Sequence, residues 1–112
     1  MMKNLIEIEF YVADNGKAPF ISWLEKLDET DQIKIKKRLA RIRDTGNLGD
    51  YKNLSDGVSE LRFFFGSGYR IYFGKQGEKI IILLCGGNKS SQSKDIAKAK
   101  EGWKNFIKKN YN

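Results

Sequence analysis

Two short segments, Glu60-Leu61-Arg62 and Gly68-Tyr69-Arg70, flank a glycine turn at Gly66-Ser67-Gly68. If they pair across that turn, Arg62 and Arg70 stand side by side on adjacent strands. Two guanidinium groups on one sheet face repel unless something anionic offsets them. A phosphate would do so, because each guanidinium offers bidentate donors in a fork that fits phosphate oxygens. Glu60, which period two places on the same face as Arg62, would also do so, as an internal salt-bridge ladder. The residue types leave these two readings open.

A second feature is Gly86-Gly87-Asn88-Lys89-Ser90-Ser91-Gln92, which follows an apolar run. Two glycines let backbone approach a ligand closely. Lys89 adds a charge, while Ser90, Ser91 and Gln92 add neutral hydrogen-bonding groups just ahead of a helix start, a natural position for an anion. The spacing is not that of a P-loop. A polar connection ending in a helix cap is the plain alternative. A third feature is the stripe Lys34, Lys37, Arg38 and Arg41, which recurs at helical spacing and reads as a solvated face or as a contact for RNA or an acidic partner. Lys52 lies on the approach to the strands. Cys85 ends an apolar run and reads as a core residue. The chain contains no histidine, so a Ser-His-Asp triad, a Cys-His pair and imidazole acid/base chemistry are excluded.

The elements that must position these groups follow from periodicity. Residues 4–12 alternate, with Ile6, Ile8, Phe10 and Val12 on one face and Glu7, Glu9 and Tyr11 on the other, and read as a half-buried strand. Pro19 suits the first turn of a short helix carrying Phe20, Ile21, Trp23, Leu24 and Leu27. Asp28 or Thr30 would cap a second helix with Ile35, Leu39 and Ile42 as its core stripe, and Gly46 would stop it. Residues 20–45 thus read as a helical hairpin. Strands follow at Ser59–Phe65, Tyr69–Phe73 and Lys79–Cys85, joined by turns short enough for an antiparallel meander. The last is apolar almost throughout and should be central. Ser93 or Asp95 would open a final helix with Ile96, Ala99, Trp103 and Phe106 inward. The predicted order is β-α-α-β-β-β-α, an α+β fold with helices on a small twisted, mainly antiparallel sheet.

With 112 residues, 1–112 reads as one domain. One cysteine excludes an intrachain disulfide framework. A formal net charge of +7 points to a polyanionic partner. No apolar run reaches membrane-span length, and Met1-Met2-Lys3-Asn4 does not open a signal peptide, so the expectation is a cytoplasmic protein with a reduced thiol.

Taken together, Leu54-Ser55-Asp56-Gly57-Val58-Ser59-Glu60-Leu61-Arg62, Gly68-Tyr69-Arg70-Ile71-Tyr72-Phe73 and Leu83 through Gln92 with Asp95-Ile96 following resemble the RelE/ParE toxin superfamily, in its HigB-like "addiction module killer protein" branch. Pro19-Phe20 and Trp23-Leu24 extend the resemblance over nearly the whole chain. It implies a RelE-like fold and the toxin of a bacterial type II module, neutralised by a helix-turn-helix (HigA-like) antitoxin. Operator DNA would be met only through the antitoxin complex. It also implies ribosome-dependent cleavage of mRNA without metal or other cofactor, by attack of a 2′-OH on the adjacent phosphodiester. Such chemistry needs a proton acceptor, cations to offset charge on the phosphorane, and a donor for the leaving 5′-oxygen.

Carried over position by position, the resemblance assigns Arg62, Arg70 and Lys89 to transition-state stabilisation. It assigns Lys52, Tyr69, Ser90 and Gln92 to substrate binding. The family's C-terminal Tyr or His has no counterpart; Asp95-Ile96 stand there, so Asp95 is the candidate for proton transfer, with helix capping as its alternative. Two other functions fit the same resemblance: a ParE-like poison of DNA gyrase that cleaves no RNA, and a degenerate co-repressor that only binds its antitoxin.

Overall fold

A computed structural model describes residues 5–111. The reading of Met1-Met2-Lys3-Asn4, and the first residue of the strand expected at 4–12, lie outside the described residues. The elements run β1 (Glu7–Phe10), α1 (Pro19–Leu24), α2 (Glu29–Thr45), β2 (Tyr51–Asn53), β3 (Val58–Arg62), β4 (Arg70–Gln76), β5 (Ile80–Gly87), a single 3₁₀ turn (Lys89–Ser91) and α3 (Gln92–Asn110). The five strands form one sheet in the order β1-β5-β4-β3-β2. β2 through β5 pair antiparallel, and β1 joins β5 in parallel.

Alternation along the strands divides the core between the two faces of the sheet. Leu61, Phe63, Ile71, Phe73, Ile81 and Leu83 pack against Phe20 and Leu24 of α1 and Ile35, Leu39 and Ile42 of α2. Val58, Tyr72, Ile82, Leu84 and Cys85 pack against Ala99 and Trp103 of α3. β5 lies inside the sheet with helices over both faces, which is why its apolar run is unbroken. One tryptophan from each layer comes down on a strand glycine. Trp23 lies over Gly86 on the first face and Trp103 over Gly74 on the second, so closely that a Cβ at either glycine would collide with the indole. Gly74→Ala is therefore expected to cost about 1–3 kcal/mol through overpacking, read as a lower denaturation midpoint in urea; an unchanged midpoint would mean that the indole shifts freely.

Several expectations hold in detail. Pro19 opens α1, and Gly46 ends α2 in the left-handed conformation at φ 75°, its N–H donating to the Ile42 carbonyl at 2.8 Å. Asp28 occupies the N-cap position of α2, but its side chain makes no capping bond. Others need correction. The chain has a fifth strand, β2, that its sequence does not announce: Tyr51, Lys52 and Asn53 are all exposed and pair only with β3. An edge strand of three residues has no buried face to write a period-two pattern.

The N-terminal strand is shorter than 4–12 and its apolar face is mostly open, with Phe10 45% and Val12 51% exposed. Tyr11, expected outside, is buried instead. Past the end of β1 it lies under α3, where its ring meets Gly102 and its hydroxyl accepts a bond from Asn105 Nδ2 at 2.6 Å. The final helix does not open at Ser93 or Asp95. Asn88 caps the 3₁₀ turn, its side chain accepting from the backbone N–H of Ser90 and Ser91, and Ser91 occupies the N-cap position of α3.

Candidate functional site

Register assembles the site. Lys52, Glu60, Tyr72 and Cys85 stand opposite one another across β2, β3, β4 and β5. One step along, Arg62, Arg70 and Gly87 form the next same-face row. Directly opposed residues project to the same side of a sheet. These rows therefore share the α3 face, at the end where α3 begins.

At the centre is Glu60, fully buried. Its Oε2 accepts from Arg62 Nε at 3.2 Å, and its Oε1 accepts from Gln92 Nε2 at 2.7 Å. Arg70 Nε lies 3.4 Å from Oε1 as an ion pair. Arg70 Nη1 also donates to the Gly68 carbonyl at 2.8 Å. A buried carboxylate is tolerated only when paired and hydrogen-bonded, and Glu60 meets both conditions. The internal ladder foreseen as one reading of Glu60 is thus present. It does not use up the arginines. Arg62 remains one-third exposed, and among the described residues only its Nε is engaged. Lys89 is exposed and packs its Cβ against Gly68, beside Arg70 Nη1, while its N–H donates to the Ser67 carbonyl. Arg62 and Arg70 thus stand side by side above one buried anion, Lys89 flanks Arg70 from the turn after β5, and Lys52 is exposed at the edge-strand side.

Asp95 closes the second row. Its carboxylate lies directly over Gly87, in space a Cβ there would fill, and accepts from Ser91 Oγ. Helix capping, the alternative reading of Asp95, is not what it does: it sits one turn inside α3 and holds Ser91. The Tyr72 hydroxyl is buried and without a hydrogen-bond partner among the described residues, and the charges of Glu60 and Asp95 both act on it. Burial first, and then the charge of Glu60, push its pKa up from the ordinary tyrosine value. Tyr72 therefore stays protonated at neutral pH. Cys85, beside it, is pushed up to about 12 by burial and by Asp95. That removes the thiolate as a nucleophile and supports its reading as core.

Other predicted site residues lie elsewhere. Tyr69 points to the opposite face from Arg70, as alternation requires. Its hydroxyl donates to Asp31 at the start of α2 at 2.8 Å, and this bond raises its pKa. It pins hairpin to helix and is not in the cationic cluster. Arg38 is no surface contact either. It binds the carbonyls of Arg62, Leu48 and Asp50 and lies over the Phe63 ring at 4.5 Å, with burial lowering its pKa. It ties α2 to the start of β2 and the end of β3. Lys34, Lys37 and Arg41 are exposed on α2, on the other side of the sheet from the arginine row. Ser90 is exposed and bonded to Asn88, next to Lys89. Gln92 is in the cluster, as a ligand of Glu60.

Two members of the cluster were given no role from sequence: Tyr72, as the buried hydroxyl beside Glu60, and Asn88, as the cap that sets the loop. The available signal was alternation, which puts Glu60 with Arg62 and Tyr72 with Arg70. Among the described residues, no helix is long and apolar enough to cross a membrane.

Residues 22–104 match the family described as "Phage derived protein Gp49-like (DUF891)". Over 82 residues the chain is 49% identical to an uncharacterized protein of Haemophilus influenzae, an alignment spanning 72% of this chain and 82% of that relative. The fold is similar to that of the E. coli toxin RelE, solved in the free state as a mutant with two arginines replaced by alanine. The TM-score is 0.60 at 17% identity, covering 89% of this chain and 97% of RelE. At that identity the likeness concerns the fold.

Proposed function

Since this chain belongs to the Gp49-like phage-derived family and folds as RelE does, we propose that it is the toxin of a type II toxin–antitoxin module, of the HigB-like kind, and cleaves mRNA on the ribosome. The observation that carries this reading is the opposition of Arg62 and Arg70 on one sheet face around buried Glu60, with Lys89 in the turn after β5, its Cβ against Gly68 beside Arg70 Nη1. Glu60 is hydrogen-bonded by Arg62 Nε and pairs with Arg70 by charge, and Arg62, one-third exposed, has no other side-chain bond among the described residues. Arginines pre-oriented in this way offset charge growing on a phosphorane without having to reorganise. Lys89 supplies a third cation, and Lys52 and Ser90 extend the surface that follows the RNA backbone.

The reaction is transesterification. The 2′-oxygen forms a bond to phosphorus, the bond to the 5′-oxygen breaks, and the products carry a 2′,3′-cyclic phosphate and a 5′-OH. In this reading Asp95, at the end of the arginine row, takes the 2′-OH proton, and the leaving 5′-oxygen takes a proton from water. The partner is a helix-turn-helix antitoxin, met in the cytoplasm.

Purified protein added to ribosomes programmed with mRNA is expected to give fragments with 5′-OH ends, and Lys89→Ala is expected to lower the cleavage rate about tenfold or more. Intact mRNA under these conditions would reject the nuclease reading. One observation favours a second reading, a gyrase-binding poison on the same fold: the arginines already hold an internal carboxylate, and Asp95 is occupied by Ser91. DNA breaks on expression, with mRNA intact, would select it.

A further inference from the structure

The β3–β4 hairpin tip carries three consecutive phenylalanines, Phe63, Phe64 and Phe65, and the fold treats them differently. Phe63 is buried on the α1/α2 face. Phe65 packs edge-on against Phe63 and Tyr69, with Lys34 Nζ over its ring at 4.9 Å. Phe64 between them is 87% exposed, the most exposed large apolar side chain among the described residues. Pairing continues past β3, with the Phe63 N–H donating to the Tyr69 carbonyl at 3.0 Å, so alternation is kept. Phe64 therefore projects to the same side as Arg62 and Glu60. Two residues along a strand separate Phe64 from Arg62 by about 7 Å.

Leaving a phenylalanine in water forgoes the gain of burying it, and both neighbours are anchored, so this ring is held out rather than merely left over. Its surroundings identify the occupant. Near its tip the hairpin carries Arg62 and Arg70 on the Phe64 side, Lys89 packs its Cβ against the turn at Gly68, and the acid of the same strand face, Glu60, is fully buried. A flat apolar ring beside these cations, with Glu60 buried beneath them, matches an unpaired nucleobase, whose π-face stacks on aromatics while its phosphates take the cations. An apolar segment of a partner protein would need no such charge.

We propose that Phe64 is a stacking platform for an unpaired base of the RNA whose backbone lies on the Arg62–Lys89 rim. This rests on the RNA-binding part of the reading above and adds a base-contacting position to it. Stacking on an exposed aromatic is worth about 1–3 kcal/mol per base, so Phe64→Ala should weaken binding of a short single-stranded oligoribonucleotide about 5- to 100-fold.

The test compares wild type, Phe64→Ala and Phe64→Trp for binding to a six-nucleotide oligoribonucleotide and to its abasic counterpart at low salt. The expected result is that Phe64→Ala loses affinity for the first and not for the second, and that Phe64→Trp shows extra fluorescence quenching only with the base-containing oligomer. Wild type binding RNA, with Phe64→Ala equal to it on both oligomers, would overturn the stacking site alone. Wild type binding neither oligomer would overturn the stacking site together with the RNA reading. Loss of antitoxin binding in Phe64→Ala, with RNA binding intact, would overturn it in favour of a protein contact.

Discussion

Arg62→Ala is expected to lower mRNA cleavage by about 10²–10³-fold, the usual loss when one pre-oriented donor is removed from developing transition-state charge. On expression without antitoxin, growth arrest should vanish with it. The fold should survive, because Arg62 is one-third exposed and its removal leaves Glu60 still bound by Arg70 and Gln92. Arg62→Lys should recover little, since an ammonium at that position cannot hold Glu60 through one edge and present another edge outward. Binding to the antitoxin should persist and provides the check on folding. Full cleavage by Arg62→Ala would remove the residue from the mechanism.

Glu60→Ala is expected to have the largest effect on stability. The carboxylate is 1% exposed and faces two guanidiniums that are 33% and 16% exposed. Removing one partner of a buried pair leaves uncompensated charge, a loss of several kcal/mol when both sides are fully buried. Here Arg62 can turn to water, so the lower end applies, about 3 kcal/mol. For a domain of this size that is roughly a 15 °C fall in melting temperature. Glu60→Gln, which keeps the shape and loses the charge, should fall between alanine and wild type. A melting temperature unchanged in Glu60→Ala would show that the arginines do not depend on the acid.

These two variants separate functions that one cluster combines. The rim residue is predicted to matter for chemistry with little effect on stability, whereas the buried acid matters for both, because it orients the rim. Local alternation made that cluster partly legible. The hairpin 58–76 places Glu60 and Arg62 on one face and Arg70 and Tyr72 on the same face across the turn, and both the ladder and the phosphate readings follow from that. Once Nε and Nη are considered separately, the two readings are compatible: one edge of Arg62 meets Glu60, and the other makes no bond among the described residues.

What was not legible depended on contacts distant in sequence. Arg38 has the spacing of a surface stripe, yet it ends on three carbonyls of the segment 48–62. Nothing within α2 signals that those carbonyls lie within its reach. Tyr69 sits in a motif beside Arg70, but alternation sends it to the other face, where Asp31 receives its hydroxyl. Tyr11 keeps the phase of Glu7 and Glu9, its N–H donating to the Leu83 carbonyl, but α3 covers that face here and buries it. Strand β2 has no buried face and so no pattern. In each case the local signal was real, and a tertiary contact overrode it.

The central claim is that Arg62 and Arg70 over Glu60, with Lys89 beside Arg70, act on an RNA phosphodiester. Primer extension on cellular mRNA after brief expression, wild type beside Arg62→Ala, tests it most directly. Cuts in phase with codons are expected for wild type and none for the variant. Uncut mRNA with wild type, or the same cuts with Arg62→Ala, would contradict it.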